Sequence, residues 1–228
     1  MRIDVAFTPA EEGRAEVGVV VDVMRATSTI AQALESGYER VLCCAEVDDA
    51  RRLKAELGDA ILAGERNAVR IEGFDAGASP REFLEPQAST LIMSTTNGTR
   101  TILEAASRCQ EVLLGSLLNL SAVVEAVRGR AVDAVVLCAG FQGAFAIDDA
   151  YCAGRIVREL DGAVRTDAAI ASALVAERLP RAIDGINART YGPPGLEADI
   201  EWCARVSVIA TVPRFSRLVG PAAEIVAS

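Results

Sequence analysis

The chain has 228 residues, about half of them apolar, and 23 basic against 32 acidic residues give a formal charge of −9. A chain this long can bury a substantial core, and an acidic balance gives it no electrostatic reason to seek nucleic acid or an anionic membrane. There is no histidine, which excludes a phosphohistidine intermediate, a Ser-His-Asp triad and a His-ligated zinc site.

Met1-Arg2-Ile3-Asp4 lacks the basic and apolar stretches of a signal peptide. Residues 17–23 form a β-branched run suited to a buried strand. Residues 27–36 read as a helix closed by Gly37, 40–45 as a strand, 47–57 as an amphipathic helix before Gly58, and 60–63 as a strand. From 64 to 87 Gly, Pro and charge dominate, a long irregular segment of the kind that is functional or mobile, and a minor subdivision of the domain could fall there. Pattern returns with a strand at 90–94, a helix at 97–107, a strand at 111–114, a helix at 121–128 and a strand at 132–139. The loop 140–143 leads to Asp148 and a helix ending at Leu160, and 166–179 is helical. Residues 182–196 are rich in Gly and Pro, 199–205 read as a short helix and 206–212 as a late strand. The apolar tail 218–226 suits either an interface, making a homo-oligomer possible, or an edge strand.

Strand and helix alternate, so the expected fold is α/β, one domain over 1–228 with a mainly parallel sheet flanked by helices. No apolar run reaches membrane-spanning length. The six cysteines form no C-x-x-C pair and sit mostly in apolar runs, as reduced buried thiols of a cytoplasmic protein would. Lysine occurs only at Lys54, so positive charge for a substrate comes from Arg or from a metal.

In such sheets ligands bind beyond the carboxyl ends of the strands, here the loops after Val23, Ala63, Ser94, Leu114 and Ala139. Asp22-Val23-Met24-Arg25-Ala26-Thr27-Ser28-Thr29 puts a carboxylate at the end of a buried strand, with Arg25 and three hydroxyls at a helix start. Asp22 could ligate Mg²⁺ or attack phosphorus, Arg25 could hold an anion at two points, and a helix start suits phosphate. The same residues could serve only as a cap and an ion pair. Gly64-Glu65-Arg66-Asn67 and Glu72-Gly73-Phe74-Asp75 offer ligands for metal and anion, or simply turn chemistry. Ser94-Thr95-Thr96-Asn97-Gly98-Thr99-Arg100 is a plausible phosphate cradle without the P-loop lysine, or a long cap. Of Asp148 and Asp149, adjacent on a helix, one at most is expected to reach a metal, and Asp148 is preferred. Together the loops suit metal-assisted phosphoryl transfer on a small anionic phosphate ester.

Several of these segments, in this order, resemble the 2-phosphosulfolactate phosphatases of coenzyme M biosynthesis. The matching stretches are Val20-Val21-Asp22-Val23-Met24-Arg25-Ala26-Thr27-Ser28, Gly64-Glu65-Arg66, Ile71-Glu72-Gly73-Phe74-Asp75, Ser79-Pro80, Thr95-Thr96-Asn97-Gly98-Thr99-Arg100, Gly115-Ser116, Asn119 and Ile147-Asp148-Asp149. The resemblance implies a family-specific α/β fold, Mg²⁺ dependence and hydrolysis of 2-phosphosulfolactate to sulfolactate and phosphate. On it, Asp22, Arg25, Glu65 and Asp148 are the expected catalytic residues, with Asp22, Glu65 and Asp148 holding the metal. Arg66, Thr95, Asn97, Gly98, Thr99 and Arg100 are the expected substrate-binding residues. The chain departs from the family at Asn67-Ala68-Val69, where members often carry Gly, and at Phe141-Gln142-Gly143-Ala144. These departures bear on substrate identity. A haloacid-dehalogenase nucleophile would be followed two residues later by a second Asp. Met24 stands there, so Asp22 is preferred as metal ligand over nucleophile. The alternatives are a phosphatase for another small phosphorylated hydroxy acid or sugar, and a non-catalytic anion-binding protein.

Overall fold

The structure, a computed structural model, describes residues 1–187 and 195–228. In chain order the elements are β1 (Arg2–Ala6), β2 (Val17–Val21), α1 (Ala26–Glu35), β3 (Arg40–Cys43), α2 (Val47–Leu57), β4 (Ala60–Arg66), β5 (Val69–Arg70), β6 (Thr90–Ser94), α3 (Gly98–Arg108), β7 (Glu111–Gly115) and α4 (Leu120–Arg130). They continue with β8 (Ala134–Cys138), α5 (Ile147–Glu159), β9 (Val164–Arg165), α6 (Asp167–Arg178), α7 (Ala182–Asn187), α8 (Glu197–Cys203), β10 (Pro213–Val219) and β11 (Ala222–Ala227).

All described strands join one sheet in the order β5-β4-β6-β3-β11-β10-β7-β2-β8-β1-β9. It is a mostly parallel mixed sheet flanked by helices, as expected. Two parallel blocks, β4-β6-β3 and β7-β2-β8-β1-β9, are joined by the β10–β11 hairpin, which pairs antiparallel with β3 on one side and β7 on the other. β2 is buried at every position, so its alternate side chains serve two cores. Val19 and Val21 pack with α4, α5 and α6, whereas Val20 packs with Ile30 of α1 and Ile102 of α3. α5 and α6 approach closely because Gly154 has no Cβ; one built there would lie 2.0 Å from the Ser172 carbonyl oxygen.

Two helices cross between the blocks. α1 leads from β2 to β3 and α3 leads from β6 to β7. Their starts therefore lie where the carboxyl ends of the two blocks meet, and this crossing point is where the site forms.

The fold departs from the sequence reading in several places, and β1, β9 and α7 have no counterpart in that reading. The expected late strand at 206–212 is irregular: the N–H groups of Ser207, Val208 and Ile209 donate to the carbonyls of Leu117 and Leu118, ahead of α4. Its β-branched residues suggested a strand, but Val206 and Val208 stay exposed. The strands come later, as β10 and β11 around the Gly220-Pro221 turn, and β11 is interior to the sheet rather than a free edge or interface tail. The stretch 64–87 also carries order: β4 runs on to Arg66, hairpins with β5, and a one-turn 3₁₀ helix spans Pro80–Glu82.

Candidate active site

Asp22 ends β2 with only 8 % of its surface exposed. Its side chain accepts a hydrogen bond from the Ala26 N–H at 3.3 Å, at the start of α1, and the Gly98 N–H, at the start of α3, also favours its charged form. The positive ends of the two crossing helices thus converge on one carboxylate. This approach requires glycine at 98, where a Cβ would stand 2.4 Å from the Ala26 Cβ and 2.6 Å from Asp22 Oδ2. The hydroxyls that follow Asp22 fix the turn. Thr27, Ser28 and Thr29 are buried and donate to the carbonyls of Asp22, Val23 and Ala78.

Burial pushes the Asp22 carboxyl up to about 7; the N–H of Ala26 opposes this, while the charges of Glu65 and Asp148 add to it. Two helix starts therefore fall short of offsetting the burial of the anion. The surrounding pocket, about 630 Å³ of space including its open mouth, is lined by Asp22, Glu65, Asp148 and Asp149, with Arg25 as the lone cation among its described lining residues.

Glu65 accepts from the Thr96 N–H at 2.7 Å and from the Ala68 N–H at 2.5 Å, which ties the β4–β5 turn to the loop after β6. Asp148 and Asp149 open α5, and both line the pocket. Their tasks differ. Asp149 accepts from the Val23 N–H at 2.9 Å and the Gly140 N–H at 3.0 Å, bracing the ends of β2 and β8. Burial and the charge of Asp148 raise its carboxyl well above the usual range. Asp149 had been legible only as one of two adjacent acids, because its partners are backbone groups over a hundred positions away and nearby on another strand.

Of the other expected residues, Thr95 and Asn97 line the pocket. Thr99 is buried and exchanges hydrogen bonds with Thr95. Arg66 and Arg100 are not among the lining residues. Arg66 donates to the carbonyls of Glu65 and Ala45 and to Ser94 Oγ, and Arg100 pairs with Glu46 at 2.7 Å in the open. The expected ligand loop after β7 serves the fold instead, since Asn119 ties Ser116 to the carbonyls of Leu114 and Thr211.

The two departures from the family's glycine pattern are tight turns at the pocket rim. Asn67 and Ala68 take φ values of 53° and 63°, and Gln142 and Gly143 take 51° and 80°. Positive φ at both central residues is the conformation for which glycine is preferred. The turns are linked, as the Gln142 amide N–H meets Asn97 Oδ1 and its side chain meets Asn67 Oδ1, each at 3.3 Å.

No cysteine is among the described lining residues. The cysteines form no disulfide, and burial raises Cys43, Cys138 and Cys152 far above the ordinary thiol range and Cys44 to about 12. Among the described residues no helix is long and apolar enough to cross a membrane.

A family model described as 2-phosphosulpholactate phosphatase matches residues 6–217. Among similar proteins, one from Clostridium acetobutylicum is 35% identical over 231 residues, covering 95% of this chain and 98% of that protein. Another from Thermus thermophilus is 37% identical over 233 residues, covering 97% and 98%, and both are named probable 2-phosphosulfolactate phosphatase. With the match running nearly end to end, the chain belongs to the 2-phosphosulfolactate phosphatase family, a family of phosphoric monoester hydrolases.

Proposed function

We propose that this protein hydrolyses 2-phosphosulfolactate to sulfolactate and phosphate, with Mg²⁺ bound at the Asp22 pocket. The observation that carries the metal is the charge imbalance: among the described residues, four carboxylates line the pocket against one guanidinium. A phosphate ester adds further negative charge, and buried like charges of this kind demand a counter-cation.

The donors fit Mg²⁺. Among the described residues no three His, Cys, Asp or Glu side chains group so as to hold a metal ion between them. Mg²⁺ does not need such a group, because it usually takes one or two carboxylates and fills its shell with water and substrate phosphate. Asp22 and Asp148 are the pair we assign, and Glu65, held by two backbone N–H groups, completes the negative wall. Bound there, the cation would neutralise phosphate charge and acidify a water molecule.

Arg25 binds an oxygen of the anionic ester and orients it, while Thr95 and Asn97 border the phosphate. A pocket carboxylate accepts a proton from the attacking water as the new O–P bond forms and the ester P–O bond breaks. The leaving alkoxide of sulfolactate takes up a proton. Coenzyme M biosynthesis and a cytoplasmic setting belong to this same reading.

Substrate identity is tested with a panel of phosphorylated hydroxy acids and sugars assayed with Mg²⁺. Preference for 2-phosphosulfolactate, at least tenfold in kcat/KM, supports the assignment; equal or better turnover of a sulfonate-free ester overturns it.

A further inference from the structure

Arg25 carries the positive charge among the described lining residues of the pocket, and it is paired with an acid far along the chain. Arg25 Nη1 lies 2.6 Å from Asp199 Oδ2, and the side chains are 9% and 7% exposed. Nη2 donates to the Ala68 carbonyl at 3.1 Å. These bonds use two of the five N–H groups of the guanidinium.

Asp199 is itself held. Its Oδ1 accepts from Ser79 Oγ at 2.5 Å, and Arg81 stands 3.9 Å away. Ser79 caps the 3₁₀ turn in a capping box with Glu82, and Glu82 also accepts from the Gly77 N–H at 3.0 Å. Asp199 lies on α8, directly after Leu196, which lines the pocket. One chain of contacts thus runs from the 77–82 segment through Ser79 and Asp199 to the Arg25 guanidinium.

From this geometry we infer that Asp199 is a positioning residue that holds Arg25 in place for the anionic substrate. The inference rests on the reading of Arg25 as a substrate-binding residue. Without Asp199, the nearest partners for an Arg facing four carboxylates are those carboxylates. The guanidinium would turn onto them and compete with both substrate and cation. Asp199 gives Arg25 a full charge partner away from the reacting group. The irregular 77–82 stretch thereby gains a task, to fix the acid that fixes the arginine.

The test is a double-mutant cycle on the full chain with Mg²⁺, using Arg25→Gln, Asp199→Asn and the double variant, with Asp199→Glu as the conservative change. KM and kcat are read separately, and affinity for inorganic phosphate is measured by calorimetry. Asp199→Asn is expected to raise KM at least tenfold and change kcat less than threefold. Asp199→Glu should recover part of the loss, and the double variant should be no worse than Arg25→Gln. Multiplying effects, or an unchanged KM in Asp199→Asn, overturn the inference. If Asp199→Asn does not fold, Ser79→Ala decides: a two- to fivefold rise in KM supports the inference and no change contradicts it. A wild-type protein that binds phosphate but does not hydrolyse 2-phosphosulfolactate defeats the substrate assignment alone, and the same cycle read on phosphate affinity then decides for Asp199. A wild-type protein that binds no phosphate overturns both.

Discussion

Two charged groups flank the start of α3. On one side Asp22, Asp148 and Arg25 face a pocket; on the other Arg66, Arg100 and Glu46 face one another and the backbone. In the sequence they look alike, each an acid and an arginine close to the end of a buried strand. Burial and partners separate them. Arg25 is 9% exposed and opposite a buried acid, whereas Arg100 is 56% exposed and opposite an equally open Glu46. An exposed pair contributes little and is screened by salt, whereas a desolvated one is strong and costly to break. Residue type suggests chemistry, but where the chain has already spent its hydrogen bonds decides which residues remain for a substrate.

The comparison is broken most severely at Asp22. Asp22→Asn is expected to lower phosphate release about 10³-fold or more, measured at saturating substrate and Mg²⁺. The same variant has a second signature. The folded Asp22 carboxyl sits near 7 against an ordinary 3.8, so the folded state holds a proton that the unfolded chain releases. Stability from this group is present at low pH and lost as pH rises through about 7. In chelator-treated protein Asp22→Asn should therefore gain thermal stability over wild type at pH 8 and show less difference at pH 5.

A smaller effect compares the arginines directly. Arg25→Ala should cost about 10²-fold in kcat/KM, and Arg100→Ala less than about threefold. Comparable losses at both positions would erase the distinction between the two sides. Gly98→Ala tests the shared border, where the added methyl group must displace Asp22 or α1. A destabilisation of about 1–3 kcal/mol by denaturant melting, with loss of turnover, is expected. Ala68→Gly is the mildest. It relaxes a left-handed turn residue and should stabilise by about 0.5–1 kcal/mol with activity retained.

The parts of the fold set by local pattern were readable from the chain. β2, α2 and β6 follow from apolar runs and helix stops, and the loops after β2, β4, β6 and β8 do line the pocket. The hairpin β10–β11 was missed because 206–212 has the stronger β-branched run, while the Gly220-Pro221 turn was the available signal. The site was legible as Asp22, Glu65 and Asp148 in separate loops. The roles of Asp149 and Asp199 were not, since each acts through partners brought near only by the pairing of β2 with β8 or the docking of α8. The hydroxyls after Asp22 and the Thr95–Thr99 pair also hold the backbone that aims the carboxylates, while Thr95 lines the pocket as well.

The central claim is that the carboxylates of this pocket work through a bound cation. It is tested most directly by following phosphate release from 2-phosphosulfolactate by the purified protein before chelation, after EDTA, and after Mg²⁺ is restored. Loss on EDTA and recovery with Mg²⁺ are expected in the wild type, with no recovery in Asp22→Asn. Turnover that persists undiminished in thoroughly chelated wild-type protein would contradict it.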